Sequence, residues 1–384
     1  YIRKGVAHMT YLGQNIKKLG FGLMRLPMIG DEIDMEQTKA MVDTFMAKGF
    51  TYFDTAYVYI NGKSEVAARE AIVKRYPRDS FTLATKLPLW DNIETEADMQ
   101  RIFDESMERA GVEYFDYYLL HNLNVTNYRI AERLDSFGFI ARKKAEGRIR
   151  RIGFSFHDSA ALLDEILTTH PETEFVQLQI NYLDWDNESI QSRKCYETAR
   201  RHGKPVVVME PVKGGALAQV PQEAERLFRS VRPDLSPASW AIRYAASLEG
   251  VAMVLSGMSS PRQMADNISY MRDFQPLTPD EHDAIARAVQ IINRSIAIPC
   301  TACRYCVAGC PRRIAIPEYF ALYNADRQSL NNGFSVQGVY YANLTQHHGK
   351  ASDCIGCRKC EKSCPQHLGI VEGLRKVAET FETA

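Results

Sequence analysis

Eight of the nine cysteines in this chain lie in one stretch near its carboxyl end, where they repeat a single spacing pattern twice. The two copies are Cys300-x2-Cys303-x2-Cys306-x3-Cys310 followed by Pro311, and Cys354-x2-Cys357-x2-Cys360-x3-Cys364 followed by Pro365. A 4Fe–4S cluster needs four thiolate ligands, and the tight loop of a CxxCxxC run can supply three of them. The C-terminal part of the chain is therefore expected to fold around iron–sulfur clusters.

The fourth cysteine of each copy decides which cysteines share a cluster. In two-cluster ferredoxins this cysteine, turned away by the proline that follows it, ligates the other cluster. The segment resembles bacterial two-cluster ferredoxins, with a longer insert between the two copies at residues 312–353. The expected ligands are Cys300, Cys303, Cys306 and Cys364 for the first cluster, and Cys354, Cys357, Cys360 and Cys310 for the second.

Other uses of these cysteines fit the pattern poorly. Disulfide frameworks belong to small secreted domains, whereas this chain has 384 residues and is expected to carry no secretory signal. Structural zinc is usually held by paired CxxC knuckles rather than by two runs of four cysteines that each end in proline. Thiolate-ligated clusters also indicate a reducing cytoplasm, with an anaerobe as the expected source.

The composition restricts the partners of the chain. Lysine plus arginine equals aspartate plus glutamate, at 47 each, so the chain has no net positive charge that would favour binding to nucleic acid. No run of 18 apolar residues exists, and we therefore expect no membrane span. The expected partner is a small molecule, with an electron-transfer protein and self-association into a homo-oligomer left open.

Short β-rich runs alternate with amphipathic helical runs from about residue 19 to residue 270. Eight such strand–helix units in about 250 residues predict an α/β fold, a (β/α)8 TIM barrel. A doubly wound sheet is the alternative, but no G-x-G-x-x-G follows a strand. The predicted strands are Leu19–Leu23, Tyr52–Thr55, Phe81–Lys86, Tyr114–His121, Ile149–Ser155, Phe175–Asn181, Pro205–Glu210 and Ala252–Ser256. The predicted helices are Glu36–Lys48, Ser64–Arg75, Glu94–Ala110, Arg129–Glu146, Ser159–Thr169, Glu188–Arg201, Ser236–Leu248 and Pro261–Met271.

The domain boundaries follow from this pattern. Residues 1–8 are interpreted as a cloning remnant ahead of a native start at Met9. The barrel is expected to span residues 9–295, with a hairpin near residues 11–18 and an added helix at residues 278–295. Residues 296–384 are expected to form the ferredoxin-like α+β iron–sulfur domain, with helices at residues 317–325 and 368–380.

Polar side chains at the carboxyl ends of barrel strands are typical of catalytic residues. Asp54 ends the second strand and Tyr59 follows it, while Lys86 and His121 end the third and fourth strands. A tyrosine hydroxyl with a pKa of about 10 is a poor acid near neutrality, and lowering that pKa to about 7 takes roughly 4 kcal/mol. A nearby lysine ammonium stabilises the phenolate and can supply much of this shift. The four residues therefore predict proton transfer to a carbonyl oxygen, with Asp54 holding Lys86 and His121 orienting the carbonyl.

These residues also carry a family resemblance. The run Phe53-Asp54-Thr55-Ala56-x-x-Tyr59, with Lys86 in Ala-Thr-Lys and His121 in Tyr-Leu-Leu-His, is similar to the signature of the aldo-keto reductases. The resemblance covers about residues 19–270, and with the cysteine repeat it indicates the ferredoxin-fused branch. It implies reduction of an aldehyde or ketone, or the reverse oxidation, with NAD(P)H bound across the barrel mouth.

The resemblance also implies cofactor contacts, and some of them depart from the family pattern. Phe156 stands where an asparagine is usual, Met209 where a tyrosine often stacks on the nicotinamide, and Gln263 where an arginine often holds the 2′-phosphate. NAD and NADP therefore both stay open, with Arg262 or Lys213 as substitute cations. The implied cofactor-binding residues are Ser155, Gln177, Met209, Pro211, Gly214, Ser256, Gly257, Gln263 and Asn267.

Two aromatic residues are expected to line the substrate pocket. Tyr57 lies in the tyrosine-bearing loop and is also the rival of Tyr59 for the acid role, although the spacing favours Tyr59. Trp90 follows the third strand. Cys195, the ninth cysteine, lies on a predicted helix and is expected to be a small buried hydrophobic residue.

Three functions stay open because a nicotinamide passes two electrons as a hydride whereas a 4Fe–4S cluster takes one electron at a time. The favoured one is a nicotinamide-dependent carbonyl reductase whose clusters are structural or sense redox state. The second is an electron-transfer oxidoreductase in which a flavin at the barrel mouth converts between the two. The third is a redox-sensing or docking subunit without enzymatic activity, which the intact set of four polar residues disfavours.

Overall fold

The computed structural model describes residues 16–90, 93–294, 297–300, 302, 304–327, 335–364 and 367–382. Most of the predicted hairpin near residues 11–18, all of residues 1–8 and the predicted ligand Cys303 lie outside this range. No helix in the described part of the chain is long and apolar enough to cross a membrane.

Eight parallel strands close into a barrel in the order β1-β8-β7-β6-β5-β4-β3-β2, which confirms the predicted fold class. Closure rests on β1, where Gly20 pairs with Tyr52 of β2 and with Leu255 of β8. The strands are β1 Leu19–Gly22, β2 Tyr52–Asp54, β3 Thr82–Leu87, β4 Phe115–Leu123, β5 Ile149–Phe156, β6 Phe175–Gln179, β7 Val206–Met209 and β8 Val251–Ser256.

Helices surround the barrel and continue into the C-terminal domain. They are α1 Met35–Ala47, α2 Lys63–Ala68, α3 Glu96–Ala110, α4 Val125–Arg133, α5 Ser136–Ala145, α6 Ala160–Thr169, α7 Ser192–Arg201, α8 Gln222–Val231, α9 Pro237–Ser247, α10 Pro261–Met271, α11 Pro279–Asn293, α12 Tyr305–Ala308, α13 Ile316–Arg327, α14 Val336–Leu344, α15 Lys359–Lys362 and α16 Ile370–Phe381. A two-stranded hairpin, Met28–Ile29 with Glu32–Ile33, follows β1.

Several segments differ from the sequence prediction, among them three in the barrel. The helix predicted at residues 129–146 is two helices, because Asp135 has a φ of +50° and turns the chain between α4 and α5. The helix predicted at residues 64–75 continues beyond α2 as a π-helical turn, Arg69–Val73. Helix α8, which starts after Pro221, was not predicted.

Large side chains fill the inside of the barrel. The rings of Tyr52 and Tyr117 lie 5.1 Å apart, and Tyr117 meets Phe175 edge-on at 5.6 Å. A Cβ on Gly153 would lie 2.6 Å from the carbonyl oxygen of Phe175, so this close approach requires glycine. The interior is therefore a packed core, and the chemistry is confined to the rim at the carboxyl ends of the strands.

The C-terminal domain repeats its backbone conformation as well as its cysteines. Helices α12 and α15 are related by a shift of 54 residues, and the same shift relates three pairs of residues with positive φ. These pairs are Ala302 and Gly356, Arg304 and Arg358, and Arg313 and His367. Among the described residues of this domain, the β-pairing is the bridge between Ile314 and Gly349.

The C-terminal domain packs on the barrel rim. Ile190, from the loop after β6, is buried in the hydrophobic core of the C-terminal domain. The hydroxyl of Ser189 donates to the carbonyl oxygen of Glu318 at 3.4 Å. A cleft of about 700 Å³ lies between the two parts, bounded by the loops after β4, β5 and β6 on one side and by α13 and α14 on the other.

The barrel wall contains a buried ion pair that ties α9 to α11. Arg243 donates to both carboxylate oxygens of Glu281, at 2.7 and 3.0 Å, and both side chains are buried. Removing the charge in Glu281→Gln leaves a buried guanidinium without its counterion. We expect the free energy of unfolding, measured by urea denaturation, to fall by about 3 to 5 kcal/mol.

The matched control is Glu223→Gln, which removes the exposed pair between Glu223 and Arg294 at 3.2 Å. Exposed pairs contribute little, so this variant is expected to change the free energy by less than about 1 kcal/mol. Equal losses in the two variants would contradict the assignment of Arg243 and Glu281 as a stabilising buried pair.

Candidate active site and cluster ligands

The centre of the barrel mouth is an ion pair between Asp54 and Lys86. Strands β2 and β3 are neighbours, and their register brings the two side chains together above the packed interior. The Lys86 ammonium donates to the Asp54 carboxylate at 2.6 Å and to the carbonyl oxygen of Thr55 at 2.7 Å. Burial lowers the pKa of Lys86, but the opposing effects of Asp54 and Tyr59 prevail and raise it, so the ammonium keeps its proton.

Tyr59 lies beside this ammonium. The Lys86 nitrogen is 4.8 Å from the centre of the Tyr59 ring, and the His121 ring meets Tyr59 edge-on at 5.8 Å. Burial raises the pKa of Tyr59, and this effect outweighs the lowering by Lys86. The expected lowering by Lys86 is therefore present, but burial exceeds it in this structure. Tyr59 instead holds its proton as a neutral phenol.

His121 and Trp90 are neighbours at the mouth. Their rings lie 5.1 Å apart at 56°, which places Trp90 beside the predicted site. Burial, followed by the charge of Lys86, lowers the pKa of His121 well below its ordinary value. His121 is therefore a neutral imidazole, able to donate one hydrogen bond.

Tyr57, the other residue predicted for the substrate pocket, has its contacts away from this group. Its hydroxyl donates to the Glu105 carboxylate at 2.6 Å, and the Arg109 guanidinium lies 4.3 Å from its ring centre. Both partners lie on α3, so Tyr57 is fixed to the outer helix layer.

The three residues predicted to contact the nicotinamide lie on adjacent strands. Ser155 of β5 is opposite Gln177 of β6 in the sheet register. The Ser155 hydroxyl accepts from the backbone N–H of Asn122 at 2.8 Å, and the Gln177 amide nitrogen lies 3.5 Å from the Met209 sulfur. The Gln177 amide oxygen is buried without a hydrogen-bond partner among the described residues. A buried carbonyl oxygen in this state fits an amide N–H of a bound molecule.

The remaining predicted cofactor residues line one cavity. This cavity has a volume of about 480 Å³ and lies at the ends of β1, β7 and β8. Asn267 donates to the Ser256 hydroxyl at 2.7 Å and accepts from the Tyr270 hydroxyl at 2.5 Å, so its orientation is fixed. Gln263 accepts from the backbone N–H of Ser259 at 2.7 Å and closes the loop before α10. The predicted residues in the lining are Pro211, Gly214, Ser256, Gly257, Gln263 and Asn267.

The cation of this cavity was not predicted from the sequence. Among the described residues, Arg25, which follows β1, is the one basic side chain that lines the cavity. Lys213, the suggested substitute, is buried and bound to both carboxylate oxygens of Asp184 at 2.7 and 2.8 Å. Lys213 is therefore excluded as a phosphate ligand. The sequence feature that could have identified Arg25 as a cofactor contact is its position just after a barrel strand.

Four of the repeated cysteines line one small cavity. They are the ligands predicted for the second cluster: Cys310, Cys354, Cys357 and Cys360. Of the ligands predicted for the first cluster, Cys306 and Cys364 are buried in the same hydrophobic core as Cys360. Cys310 thus lies with the second copy, but no group of three or more histidine, cysteine, aspartate or glutamate side chains among the described residues is arranged to hold a metal ion, so the ligand sets stay predictions. Cys195 is buried on α7, away from both copies.

Fold and site together define a (β/α)8 oxidoreductase with an appended iron–sulfur domain. The sequence pattern described as "Aldo/keto reductase family" matches residues 18–290, and the chain belongs to this family. The pattern described as "4Fe-4S dicluster domain" matches residues 299–368. Both resemblances inferred from the sequence are thereby confirmed.

Relatives and solved structures match the barrel. The uncharacterized oxidoreductase YqkF of Bacillus subtilis is 25% identical over 302 residues, which are 71% of this chain and 92% of that protein. An aldo-keto reductase of Mycolicibacterium vanbaalenii is 29% identical over 267 residues, covering 68% of this chain and 87% of that protein. The holo form of an aldo-keto reductase from Bacillus halodurans superposes with a TM-score of 0.58 at 25% identity, covering 71% and 91% of the two chains. An aldo-keto reductase from Klebsiella pneumoniae in complex with NADPH gives a TM-score of 0.57 at 21% identity, covering 71% and 90%.

The crossed cysteine grouping predicts a specific loss of iron. In Cys310→Ala the cluster of the second cysteine copy loses a ligand, so anaerobically purified protein is expected to contain about half the iron of the wild type. The lost signal in electron paramagnetic resonance should be the one that a Cys357→Ala variant also lacks.

Cys195→Ala is the control, because it removes a buried thiol outside both copies. Its iron content is expected to equal that of the wild type. If Cys310→Ala instead lost the signal that Cys306→Ala lacks, the crossed grouping would be wrong.

Proposed function

We propose that this protein is an NAD(P)H-dependent carbonyl reductase that reduces a small aldehyde or ketone, or catalyses the reverse oxidation. The observation that carries the proposal is the group formed by Asp54, Lys86, Tyr59 and His121 at the barrel mouth. A proton-bearing phenol, a fixed ammonium and a neutral imidazole stand together there beside a cavity suited to a dinucleotide.

Each residue of this group has a role that its surroundings support. Tyr59 keeps its proton in the resting state and gives it to the carbonyl oxygen as negative charge develops there. The Lys86 ammonium stabilises the resulting phenolate, and Asp54 holds that ammonium in place. His121, as a neutral donor, orients the carbonyl oxygen toward Tyr59, while Trp90 bounds the substrate on the same side.

The nucleotide cofactor would be held along the rim from β5 to β1. When bound, the reduced nicotinamide supplies the hydride that reaches the carbonyl carbon. Ser155 and Gln177 would hold its carboxamide, and the unpartnered oxygen of Gln177 supports that contact. Arg25 would face the phosphates from the far side of the cavity. NADP(H) is the cofactor we propose, supported by this cation and by the NADPH in the Klebsiella structure.

The C-terminal domain would hold two 4Fe–4S clusters through the eight repeated cysteines. Two observations on the described residues support this. Cys310 lines the same cavity as the cysteines of the second copy, and the two copies repeat the same backbone conformation 54 residues apart. In this proposal the clusters stabilise or regulate the barrel. An electron-transfer role through a flavin at the mouth is the competing function.

The acid role of Tyr59 is tested by Tyr59→Phe. Loss of the hydroxyl removes the proton donor, so kcat for aldehyde reduction with NADPH is expected to fall about 10²- to 10⁴-fold. Iron content and nucleotide affinity should remain unchanged. Tyr57→Phe is the matched control, because the Tyr57 hydroxyl donates to Glu105 instead. A larger loss of kcat in this control than in Tyr59→Phe would show that Tyr57 is the acid.

An anaerobic titration separates the two functions. NADPH is added to the protein as purified, cluster absorbance is followed, and an aldehyde is added afterwards. The proposed function predicts that the clusters keep their absorbance while the aldehyde consumes NADPH. Bleaching of the clusters by NADPH before any aldehyde is present would support the electron-transfer function instead.

A further inference from the structure

Two buried hydroxyls close the loop that carries Tyr59. The hydroxyl of Thr55, just after β2, lies 2.6 Å from that of Ser64 on α2, and both side chains are fully buried. The Ser64 hydroxyl also donates to the carbonyl oxygen of Leu23, just after β1, at 3.0 Å. Because a serine has one hydroxyl proton, Thr55 is the donor in the bond between the two side chains. This hydroxyl pair, Thr55 and Ser64, therefore joins both ends of the loop to the end of β1.

The backbones of the same two residues bind the polar group at the mouth. The carbonyl oxygen of Thr55 accepts from the Lys86 ammonium at 2.7 Å, and its N–H donates to the carbonyl oxygen of Ala84 at 2.9 Å. The N–H of Ser64 donates to the carbonyl oxygen of Tyr59 at 3.2 Å. The Lys86 nitrogen lies 4.8 Å from the centre of the Tyr59 ring. Thr55 thus holds one partner of this contact, and Ser64 holds the other.

The backbone between Tyr59 and Ser64 has a conformation that needs such support. Ile60, Asn61 and Gly62 have φ angles of +51°, +52° and +81°. This left-handed region is uncommon for residues other than glycine, and a β-branched residue such as Ile60 is rare there. Residues in such conformations keep them where the surrounding structure fixes them. The loop is therefore expected to relax when the hydroxyl pair is lost, and Tyr59 moves with it.

We propose that Thr55 and Ser64 are positioning residues, whose hydroxyl pair fixes the Tyr59 phenol beside the Lys86 ammonium. The proposal rests on the proposed function for the acid role of Tyr59. Both hydroxyls are bound within the protein, so they act through the backbone rather than on the substrate. A wider separation between phenol and ammonium weakens the stabilisation of the phenolate that forms when the proton is given to the carbonyl oxygen. Loss of the hydroxyl pair therefore slows the proton transfer.

Thr55→Val and Thr55→Ser separate the hydroxyl from the shape of the side chain. Valine has a shape similar to that of threonine but no hydroxyl, and Ser64 keeps its bond to Leu23 in this variant. The kcat of Thr55→Val for aldehyde reduction with NADPH is expected to fall about 10- to 100-fold, as for a misplaced catalytic group, while the KM for NADPH and the iron content stay unchanged. Thr55→Ser keeps the hydroxyl and is expected to retain most of the wild-type kcat.

Ser64→Ala removes the other half of the hydroxyl pair and carries the test if Thr55→Val does not fold. Its kcat is expected to fall by a similar factor, and the double variant Thr55→Val/Ser64→Ala is expected to lose no more, because both substitutions remove one bond. Ser136→Ala is the matched control. Ser136 is also fully buried and opens α5, but its hydroxyl donates to the sulfur of Met99 at 3.2 Å, on the outer helix α3. Its kcat is expected to equal that of the wild type.

The position of Tyr59 can also be followed without turnover. The full-length protein is labelled with ¹³C at the Cζ atom of its tyrosines, and its NMR spectrum is recorded at pH 7 without nucleotide. Because the chain has 19 tyrosines, the Tyr59 signal is identified as the one missing from Tyr59→Phe. This signal is expected to shift in Thr55→Val and in Ser64→Ala, and to keep its wild-type position in Thr55→Ser and Ser136→Ala.

A Tyr59 signal that stays at its wild-type position in both Thr55→Val and Ser64→Ala would overturn the proposal. So would equal losses of kcat in Thr55→Val and Thr55→Ser, since the hydroxyl would then have no part in the effect. The two proposals fail separately. If the wild type reduces no aldehyde or ketone, the proposed function is lost, while the NMR comparison still decides whether the hydroxyl pair positions Tyr59.

Discussion

The ion pair between Asp54 and Lys86 is the interaction on which the rest of the mouth depends. A lone ammonium buried at this depth would lose its proton, because desolvation disfavours the charged form. The carboxylate of Asp54 and the carbonyl oxygen of Thr55 keep the charge in place. In the proposed function Tyr59 depends on that charge, since burial alone makes a phenol harder to ionise. The register of β2 and β3 brings the two side chains of this pair together.

The elements that the sequence predicted well are those encoded by local pattern. All eight barrel strands follow from short apolar runs, and the cysteine repeat follows from spacing alone. The break between α4 and α5 was missed because it depends on the left-handed conformation of Asp135, which no glycine or proline marks. Boundaries therefore failed where a non-glycine residue adopts an uncommon backbone angle.

The site was predictable in its residues but less so in their surroundings. Lys213 was a candidate for a phosphate because sequence cannot show that Asp184, 29 residues earlier, already neutralises it. Tyr57 and Tyr59 are two residues apart, yet one packs on the outer helices and the other on the mouth. The pKa of Tyr59 likewise depends on the balance between burial and charge, which only packing determines.

The barrel rim is divided between its two occupants. The C-terminal domain rests on the loops after β4, β5 and β6, whereas the cavity suited to the nucleotide lies after β7, β8 and β1, on the other side of the ring. In the proposed function the nicotinamide would reach Ser155 and Gln177, on the side of the rim that the C-terminal domain borders, while the rest of the nucleotide would lie on the free side. The iron–sulfur domain would therefore border the reacting end of the cofactor and leave the entrance for its phosphates open.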